Sequence, residues 1–188
     1  MSDMKKSKVL LAARGLFLRY GYKRVSMNDI AEAAGVSRPA LYLLFKNKDE
    51  IFIGVFGQWV DETLAGIEQA ITGAATAQAK LALAFELWAV RPFEMMQTSP
   101  EVRELVECSF DFAEGALREG YARFEAVLAQ ILASGALGLL APHRTAHVLA
   151  SAVRGLKQTA NTPEELRLLV AELLVLSLGA DSGLVSPL

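Results

Sequence analysis

The sequence has a single cysteine and no long hydrophobic run, and both absences narrow the kind of protein it encodes. With Cys108 alone, the chain can form neither an intrachain disulfide nor a metal site built from several cysteines, and this usage fits a reducing compartment. No apolar stretch reaches the roughly eighteen uncharged residues that a membrane-spanning helix needs. Near the N-terminus, Arg14 interrupts the apolar stretch and no cleavage-site pattern follows. We therefore expect a cytoplasmic protein without a membrane helix.

The chain also lacks the residue groupings that are typical of a catalytic site. It has no glycine-rich phosphate loop and no serine nucleophile turn. Cys108 stands beside Glu107, with no neighbouring base or cation to activate its thiol. His143 and His147 have a spacing that can bind a metal, but no carboxylate in that turn completes the site. We therefore expect no enzyme activity, no metal and no cofactor.

Charge is distributed unevenly along the chain. The net charge of −2 combines about +5 in residues 1–50, which hold ten Lys or Arg against five acids, with about −7 in the remainder. Such a split is typical of a basic segment that meets a polyanion, joined to an acidic body with another role. A chance gradient gives the same numbers, so charge alone does not decide between these interpretations.

The sequence lacks the alternation of apolar and polar residues that is typical of strands, and it has the capping and terminating residues that are typical of helices. Ser26 followed by Asp29 forms a capping-box pattern, and Gly21 and Gly35 stand where helices end. The sequence predicts an all-α fold of about nine helices, with a helix-turn-helix candidate inside the basic residues 1–50 and further helices over the acidic residues 51–188. Further helix starts are predicted at Asn47 with Glu50, Ser99-Pro100, Pro142 and Thr162-Pro163 with Glu165.

Residues 26–45 predict two short helices joined by a sharp turn at Gly35. On a helical wheel the second helix, Ser37 to Phe45, separates into two faces. Its buried face is what would hold so short a helix, and its outward face suits the major groove of DNA. A helix pair that merely packs on its neighbours is the alternative. The inward residues are Leu41, Leu44 and Phe45, and the outward residues are Arg38, Pro39, Tyr42 and Leu43.

The segment YGYKRVSMNDIAEAAGVSRPALYLLFKNKDEIF resembles the DNA-binding region of the tetracycline-repressor (TetR) family of bacterial transcription regulators. About fifty residues share the pattern, and the rest of the chain is similar only in length and helical content. The resemblance implies a homodimeric repressor that places one helix of each subunit in the major groove of a double-stranded DNA operator. It also implies a helix-turn-helix DNA-binding domain over residues 1–50 and a ligand-binding and dimerisation domain over residues 51–188, where a small effector of unknown identity is bound. The matching marks are the aromatic-Gly-aromatic start, Ser26, Asp29-Ile30-Ala31, Ala34-Gly35-Val36-Ser37, Leu41-Tyr42, Phe45, Lys48 and Glu50.

Position by position, the resemblance implies which residues contact DNA. Family members often have an aromatic residue or histidine where this chain has Leu43 and Leu44, and a leucine cannot donate a hydrogen bond to phosphate. Leu43 therefore either covers a thymine methyl or marks a lost phosphate contact. The implied phosphate contacts are Ser26, Ser37, Tyr42 and Lys48, and the implied base-reading positions are Asn28, Arg38, Pro39 and Ala40.

Aromatic and methionine residues concentrate in the acidic body, and this composition is able to line an apolar ligand site. Asp111 and Glu114 suit a cationic ligand, with a solvated helix face as the default alternative, and Arg91 suits an anionic ligand. The charge of the ligand is therefore left open. Ordinary core packing is the default explanation for most of these apolar residues. The predicted ligand-binding residues are Phe85, Trp88, Met95, Met96, Phe110, Phe112 and Tyr121.

Two apolar helices near the C-terminus carry small residues that allow close approach. Two such helices from each subunit would form a four-helix bundle, which is the dimer that the family resemblance implies. An intramolecular core is the alternative, and for the whole chain a helical protein-interaction module without DNA binding is the rival function. The predicted dimer-interface residues are His147, Ala150, Ser151, Arg154, Gly155, Leu169 and Leu173.

Overall fold

The described part of the chain is helical throughout. The computed structural model describes residues 2–135 and 140–178 and, within them, every side chain except those of residues 2 and 109–112. These ranges contain no β-strand, so the predicted all-α class is confirmed. The helices are α1 (Ser2–Tyr20), α2 (Met27–Ala33), α3 (Arg38–Leu44), α4 (Lys48–Ile71), α5 (Ala77–Phe85), a π turn (Glu86–Val90), α6 (Arg91–Thr98), α7 (Pro100–Phe112), α8 (Glu114–Gly135), α9 (Pro142–Thr159) and α10 (Pro163–Leu178).

Because α5, the π turn and α6 follow one another without a break, the described residues form nine continuous helical segments, in agreement with the sequence. Neither the π turn nor the start of α5 was predicted from the sequence. Helix α5 begins at Ala77, because the Thr76 hydroxyl accepts a hydrogen bond from the Ala79 N–H at 3.1 Å. No helix in the described ranges combines the length and the apolar character needed to cross a membrane.

Side-chain caps at the predicted positions explain where several helices begin. The Asn47 side chain accepts from the Glu50 N–H at 2.8 Å, and the Thr162 hydroxyl accepts from the Glu165 N–H at 3.1 Å. Glu165 in turn accepts from the Asn161 N–H at 2.7 Å, and this bond is the main reason why its pKa lies below the usual value. Each cap satisfies a backbone N–H group that has no partner within its own helix.

Residue contacts divide the chain into two compact units. The first unit comprises Met1–Asp61 and Met95–Gly120, and the second comprises Glu62–Glu94 and Tyr121–Leu188. Helix α7, which sequence analysis assigned to the body, therefore belongs to the same unit as α1, α2 and α3. The division of function at residue 50 stays a prediction.

The core of the first unit is built where α1 meets α2, α3, α4 and α7. Phe17 is fully buried and its ring lies 5.6 Å from that of Tyr22 and 6.0 Å from that of Phe52. Cys108 of α7 is buried in the same cluster, where it adds a small apolar side chain. Burial of these side chains is what holds α2 and α3 in place, since helices of seven residues are unstable alone.

Gly21 ends α1 in a conformation that requires glycine. Its φ is +79°, and a Cβ at this position would lie 2.5 Å from Oε2 of Glu104. We expect Gly21→Ala to lower the free energy of unfolding by about 1–2 kcal/mol, because a side chain is disfavoured in the left-handed region. Gly15, in α1, is the matched control: a Cβ there meets nothing within 4 Å.

Gly15→Ala should raise the free energy of unfolding by about 0.5–1 kcal/mol, because alanine favours the helix. Urea denaturation followed by circular dichroism measures both changes. Equal stability of the Gly21→Ala variant and the native chain would contradict the requirement for glycine at this position.

Candidate nucleic-acid interface

A tight turn sets the angle between α2 and α3. Gly35 has a φ of +61°, and its N–H donates to the Glu32 carbonyl at 3.0 Å. The Val36 N–H donates to the Ala31 carbonyl, also at 3.0 Å. Ala34 is fully buried, so only a small side chain fits where the two helices meet. This arrangement is a helix-turn-helix, the unit that places its second helix against a groove of DNA.

Ser26 caps α2 through the predicted capping box. Its hydroxyl accepts from the Asp29 N–H at 3.3 Å, and the Asp29 carboxylate accepts from both the N–H and the hydroxyl of Ser26. The bond from the Ser26 N–H is the main reason why the pKa of Asp29 lies below the usual value. The exposed start of α2 is therefore rigidly organised.

Ser37 caps α3, where its hydroxyl accepts from the Ala40 N–H at 3.3 Å. Pro39 stands in the first turn, where the missing N–H of a proline has no cost. A hydroxyl that accepts one bond can still donate its proton, so Ser37 combines a capping role with the ability to reach a phosphate oxygen.

The two faces of α3 are those that the wheel predicts. Leu41 is fully buried and Phe45 is 6% exposed, whereas Leu43 is 87% exposed. Tyr42 is exposed, and the Arg38 guanidinium lies over its ring at 5.6 Å from the centroid. This stacking restricts an exposed arginine to one side of the helix, beside an apolar surface and a phenol hydroxyl.

The predicted DNA-contacting residues lie on α2 and α3, at the N-caps that precede these two helices, and in the first turn of α4. All nine belong to the first unit, and seven of them are exposed. Their roles toward DNA stay predictions. The exposed residues are Ser26, Asn28, Ser37, Arg38, Pro39, Tyr42 and Leu43, and the two half-buried residues are Ala40 and Lys48.

Lys48 has an internal role that sequence analysis did not include. Its ammonium donates to the carbonyls of Tyr22 and Val25, both at 2.8 Å, and lies 4.1 Å from the centroid of the Tyr22 ring. Burial lowers the pKa of Lys48. The Tyr22 hydroxyl donates to Asp49, and burial together with this bond raises the pKa of Tyr22. The start of α4 thus holds the connection between α1 and α2, residues 21–26.

Glu104 of α7 holds the same connection from another side, and sequence analysis missed it. Its Oε1 accepts from the Lys23 N–H at 2.7 Å across 81 residues of sequence. Local sequence gives no signal for such a contact. The α1–α2 connection is therefore held by α4 through Lys48 and Asp49 and by α7 through Glu104.

We expect Glu104→Ala to lower the free energy of unfolding by about 1 kcal/mol, because the Lys23 N–H loses its acceptor. Hydrogen exchange at the Lys23 amide should accelerate at the same time. Glu107→Ala is the matched control, since Glu107 is exposed on the same helix. It should change the free energy of unfolding by less than about 0.5 kcal/mol. Identical Lys23 exchange in the native chain and the Glu104→Ala variant would contradict the contact.

The predicted ligand-binding residues fall into both units. Within the second unit, the Trp88 ring stacks on Phe124 at 4.5 Å and meets Tyr121 edge-on at 5.6 Å, and Phe85 meets Phe124 at 5.6 Å. We call these four residues the aromatic cluster. Met95 and Met96 belong to the first unit, where Met95 is exposed. The side chains of Phe110 and Phe112 lie outside the part of the chain that the structure describes.

The predicted dimer residues are on α9 and α10. Ala150 is 2% exposed and belongs to the core within this chain, as do the other buried residues of α9. His147 is exposed and lies 3.1 Å from the Glu125 carboxylate. Large apolar side chains are nevertheless exposed on α10, where Leu168 is 60% and Leu176 is 85% exposed. Of the other predicted residues, Ser151, Arg154 and Gly155 are exposed, and Leu169 and Leu173 are half-buried.

Known proteins share both the motif and the fold. Residues 9–55 match the family model of bacterial regulatory proteins, tetR family. The HTH-type transcriptional activator FasR of Mycolicibacterium smegmatis is 38% identical over 69 residues, which are 37% of this chain and 32% of FasR. The fatty acid metabolism regulator protein of Bacillus subtilis is 32% identical over 127 residues, which are 60% of this chain and 66% of that protein.

A solved structure of the fatty acid degradation regulator FadR from Bacillus halodurans superposes with a TM-score of 0.66 at 18% identity, covering 90% of this chain and 94% of that one. At this identity the superposition establishes the fold. The chain is thus an all-α helix-turn-helix protein. On its motif and its relatives, it belongs to the TetR family of bacterial regulatory proteins.

Proposed function

We propose that the chain is a homodimeric transcription regulator that binds a palindromic DNA operator and is released from it by a small-molecule effector. The observation that carries this proposal is the outward face of α3. Arg38, Tyr42 and Leu43 are exposed on one rigidly capped helix, while Leu41 and Phe45 anchor its other face. An arginine fork suits a guanine edge, and an apolar neighbour suits a thymine methyl.

The basic N-terminal segment supplies affinity that does not depend on sequence. Each phosphate neutralised by a lysine or arginine releases a counterion, so affinity falls steeply as salt rises. Binding of a fluorescent duplex, measured by anisotropy between low and physiological salt, should weaken by about a thousandfold or more if six or more phosphates are contacted. A helical interaction module without DNA binding, the rival function, would show no binding in this titration.

The dimer is proposed from the apolar surface of α9 and α10. Leu168 and Leu176 together with the small residues Ser151 and Gly155 give a surface that a second copy is able to cover. A twofold dimer accounts for a palindromic operator, since each subunit reads one half-site. If sedimentation at low micromolar concentration shows only monomer, the proposed dimer is contradicted.

Coupling between effector and DNA is proposed to run through α4 and α7. Both helices hold the α1–α2 connection, α4 through Lys48 and α7 through Glu104. A shift of either helix on effector binding would carry α2 and α3 with it and change the separation of the two reading helices. Operator affinity that stays unchanged at saturating effector would contradict this coupling.

We also propose a role in fatty acid metabolism, because a 32% identical relative from Bacillus subtilis is named a regulator of that metabolism. FasR is named an activator, whereas the proposal for this chain is repression. Measuring transcripts downstream of the selected operator, in a strain with and without the gene, tests both points. The proposal predicts higher transcript levels for fatty acid genes when the gene is deleted, and lower levels would mean activation.

A further inference from the structure

Two cations stand side by side on α9 next to the aromatic cluster. The buried stripe of α9 comprises Ala146, Leu149, Ala150 and Val153. Lys157 occupies the next position of this stripe, where the helical spacing calls for another apolar residue. Arg154 lies three residues before it, and its guanidinium is 4.1 Å from the centroid of the Tyr121 ring.

The cations have no acidic partner in the ranges for which the structure gives side chains. No ion pair joins Arg154 or Lys157 to a carboxylate there. Burial lowers the pKa of Lys157, and the positive charge of Arg154 lowers it further. Lys157 is half-buried and Arg154 is exposed, and a half-buried ammonium beside a second cation is costly unless a negative group offsets it. An anion bound by the two cations would offset this cost.

Glu86, the carboxylate of the π turn, already has a cationic partner. Helix α9 packs against this turn within the second unit. Glu86 accepts two hydrogen bonds from Arg167, at 2.8 and 2.9 Å. These bonds lower the pKa of Glu86 and tie its charge to α10. Glu86 is thus committed to Arg167.

The backbone around the cations has a feature that is frequent at functional sites. Trp88 lies in the π turn, and π turns inside helices recur where a protein binds or reacts with a ligand. Trp88 also contacts Tyr121, the residue over which Arg154 stacks. An apolar aromatic group and a pair of cations thus meet at Tyr121.

We propose that Arg154 and Lys157 bind the acidic head of an anionic amphiphile, a carboxylate or phosphate ester, whose apolar part packs against the aromatic cluster at Tyr121. This inference rests on the proposed function, because it names the chemical class of the effector. It also resolves the charge of the ligand, which the sequence left open between Arg91 on one side and Asp111 and Glu114 on the other.

A direct titration without DNA tests the proposal. The chain has two tryptophans, so the Trp59→Phe variant leaves Trp88 as the sole reporter in the aromatic cluster. Its fluorescence is followed with four probes below their micelle concentrations: dodecanoate, dodecyl phosphate, dodecanol and dodecyltrimethylammonium. One or both anions should bind at least about tenfold more tightly than dodecanol, the size of one charge-assisted hydrogen bond. The cationic probe should bind more weakly than dodecanol.

Lys157→Met keeps the length of the side chain and removes its charge. It should lower anion affinity about tenfold or more and leave dodecanol affinity unchanged. Arg144→Met is the matched control, because Arg144 is exposed near the start of the same helix. Arg154→Met provides a second variant, with the same expected loss, if Lys157→Met fails to fold by circular dichroism.

Equal anion affinity in the native chain and both methionine variants would overturn the proposal. So would a change in the dimer dissociation constant with unaltered anion binding, because the cations would then pair across the subunit contact. Anion binding by a chain that fails to bind duplex DNA would refute the regulator function and leave the anion site standing. The two failures are thus distinguishable.

Discussion

Arg38→Ala is expected to abolish selective operator binding while leaving the fold intact. The Arg38 side chain is exposed and stacks on Tyr42, so its removal opens no cavity. A bidentate contact to guanine contributes about 1–3 kcal/mol of discrimination, and a dimer loses it in both half-sites. The expected loss is therefore about 2–6 kcal/mol, which brings a specific complex close to the affinity of a random duplex. Anisotropy titrations of the selected operator and of a scrambled duplex measure this difference.

Two further variants distinguish a loss of base recognition from a general loss of DNA affinity. Tyr42→Phe should weaken binding to operator and scrambled duplex by a similar factor, because a phosphate contact carries no sequence information. Arg19→Ala is the matched arginine control, since Arg19 stacks on the Tyr20 ring of α1 at 5.2 Å, as Arg38 does on α3. It should leave the ratio of the two affinities unchanged. Unchanged selectivity in Arg38→Ala would remove this arginine from the base-reading set.

Leu41→Ala should lower the free energy of unfolding by about 2–5 kcal/mol, the cost of a cavity left by a buried leucine. The side chain is fully buried where α3 packs against α1 and α2. Most small domains are stable by only about 5–15 kcal/mol, so this change takes a large share of the total. Urea denaturation followed by circular dichroism gives the value.

Leu43→Ala is the control for this experiment, two residues further along the same helix. Leu43 is 87% exposed, so the same truncation should change the free energy of unfolding by less than about 0.5 kcal/mol. The Leu43→Ala variant also tests whether Leu43 contacts DNA, which the sequence leaves open. If Leu43→Ala lowers affinity only for duplexes with thymine at the facing position, Leu43 contacts the thymine methyl. If affinity is unchanged for every duplex, Leu43 marks a phosphate contact that this chain has lost. Comparable destabilisation by the two variants would contradict the orientation of α3.

The local features of the DNA-binding region could be read from the sequence. Ser26, Ser37 and Asn47 cap helices through hydrogen bonds that span three residues, so their effect depends on local spacing alone. The burial of Leu41 and the exposure of Leu43 follow from the helical period. Gly21 and Gly35 adopt positive φ at the predicted helix ends.

Features that depend on distant parts of the chain could not be predicted. Glu104 meets Lys23 across 81 residues, and Lys48 turns inward to carbonyls 26 and 23 residues away. The π turn at Trp88 has no signature in residue periodicity. The placement of Lys157 on a buried stripe becomes meaningful only beside Tyr121 and Arg154, which lie on two different helices.

Selection of bound sequences from random duplex DNA by the purified chain tests the central claim most directly. The account predicts an enriched palindrome whose half-site centres are about one helical turn of DNA, or a multiple of it, apart. Within each half-site, the bases lost in a parallel selection with Arg38→Ala should include a guanine. A pool that stays random, or one that converges on a single asymmetric site, would contradict a dimer that reads DNA through α3.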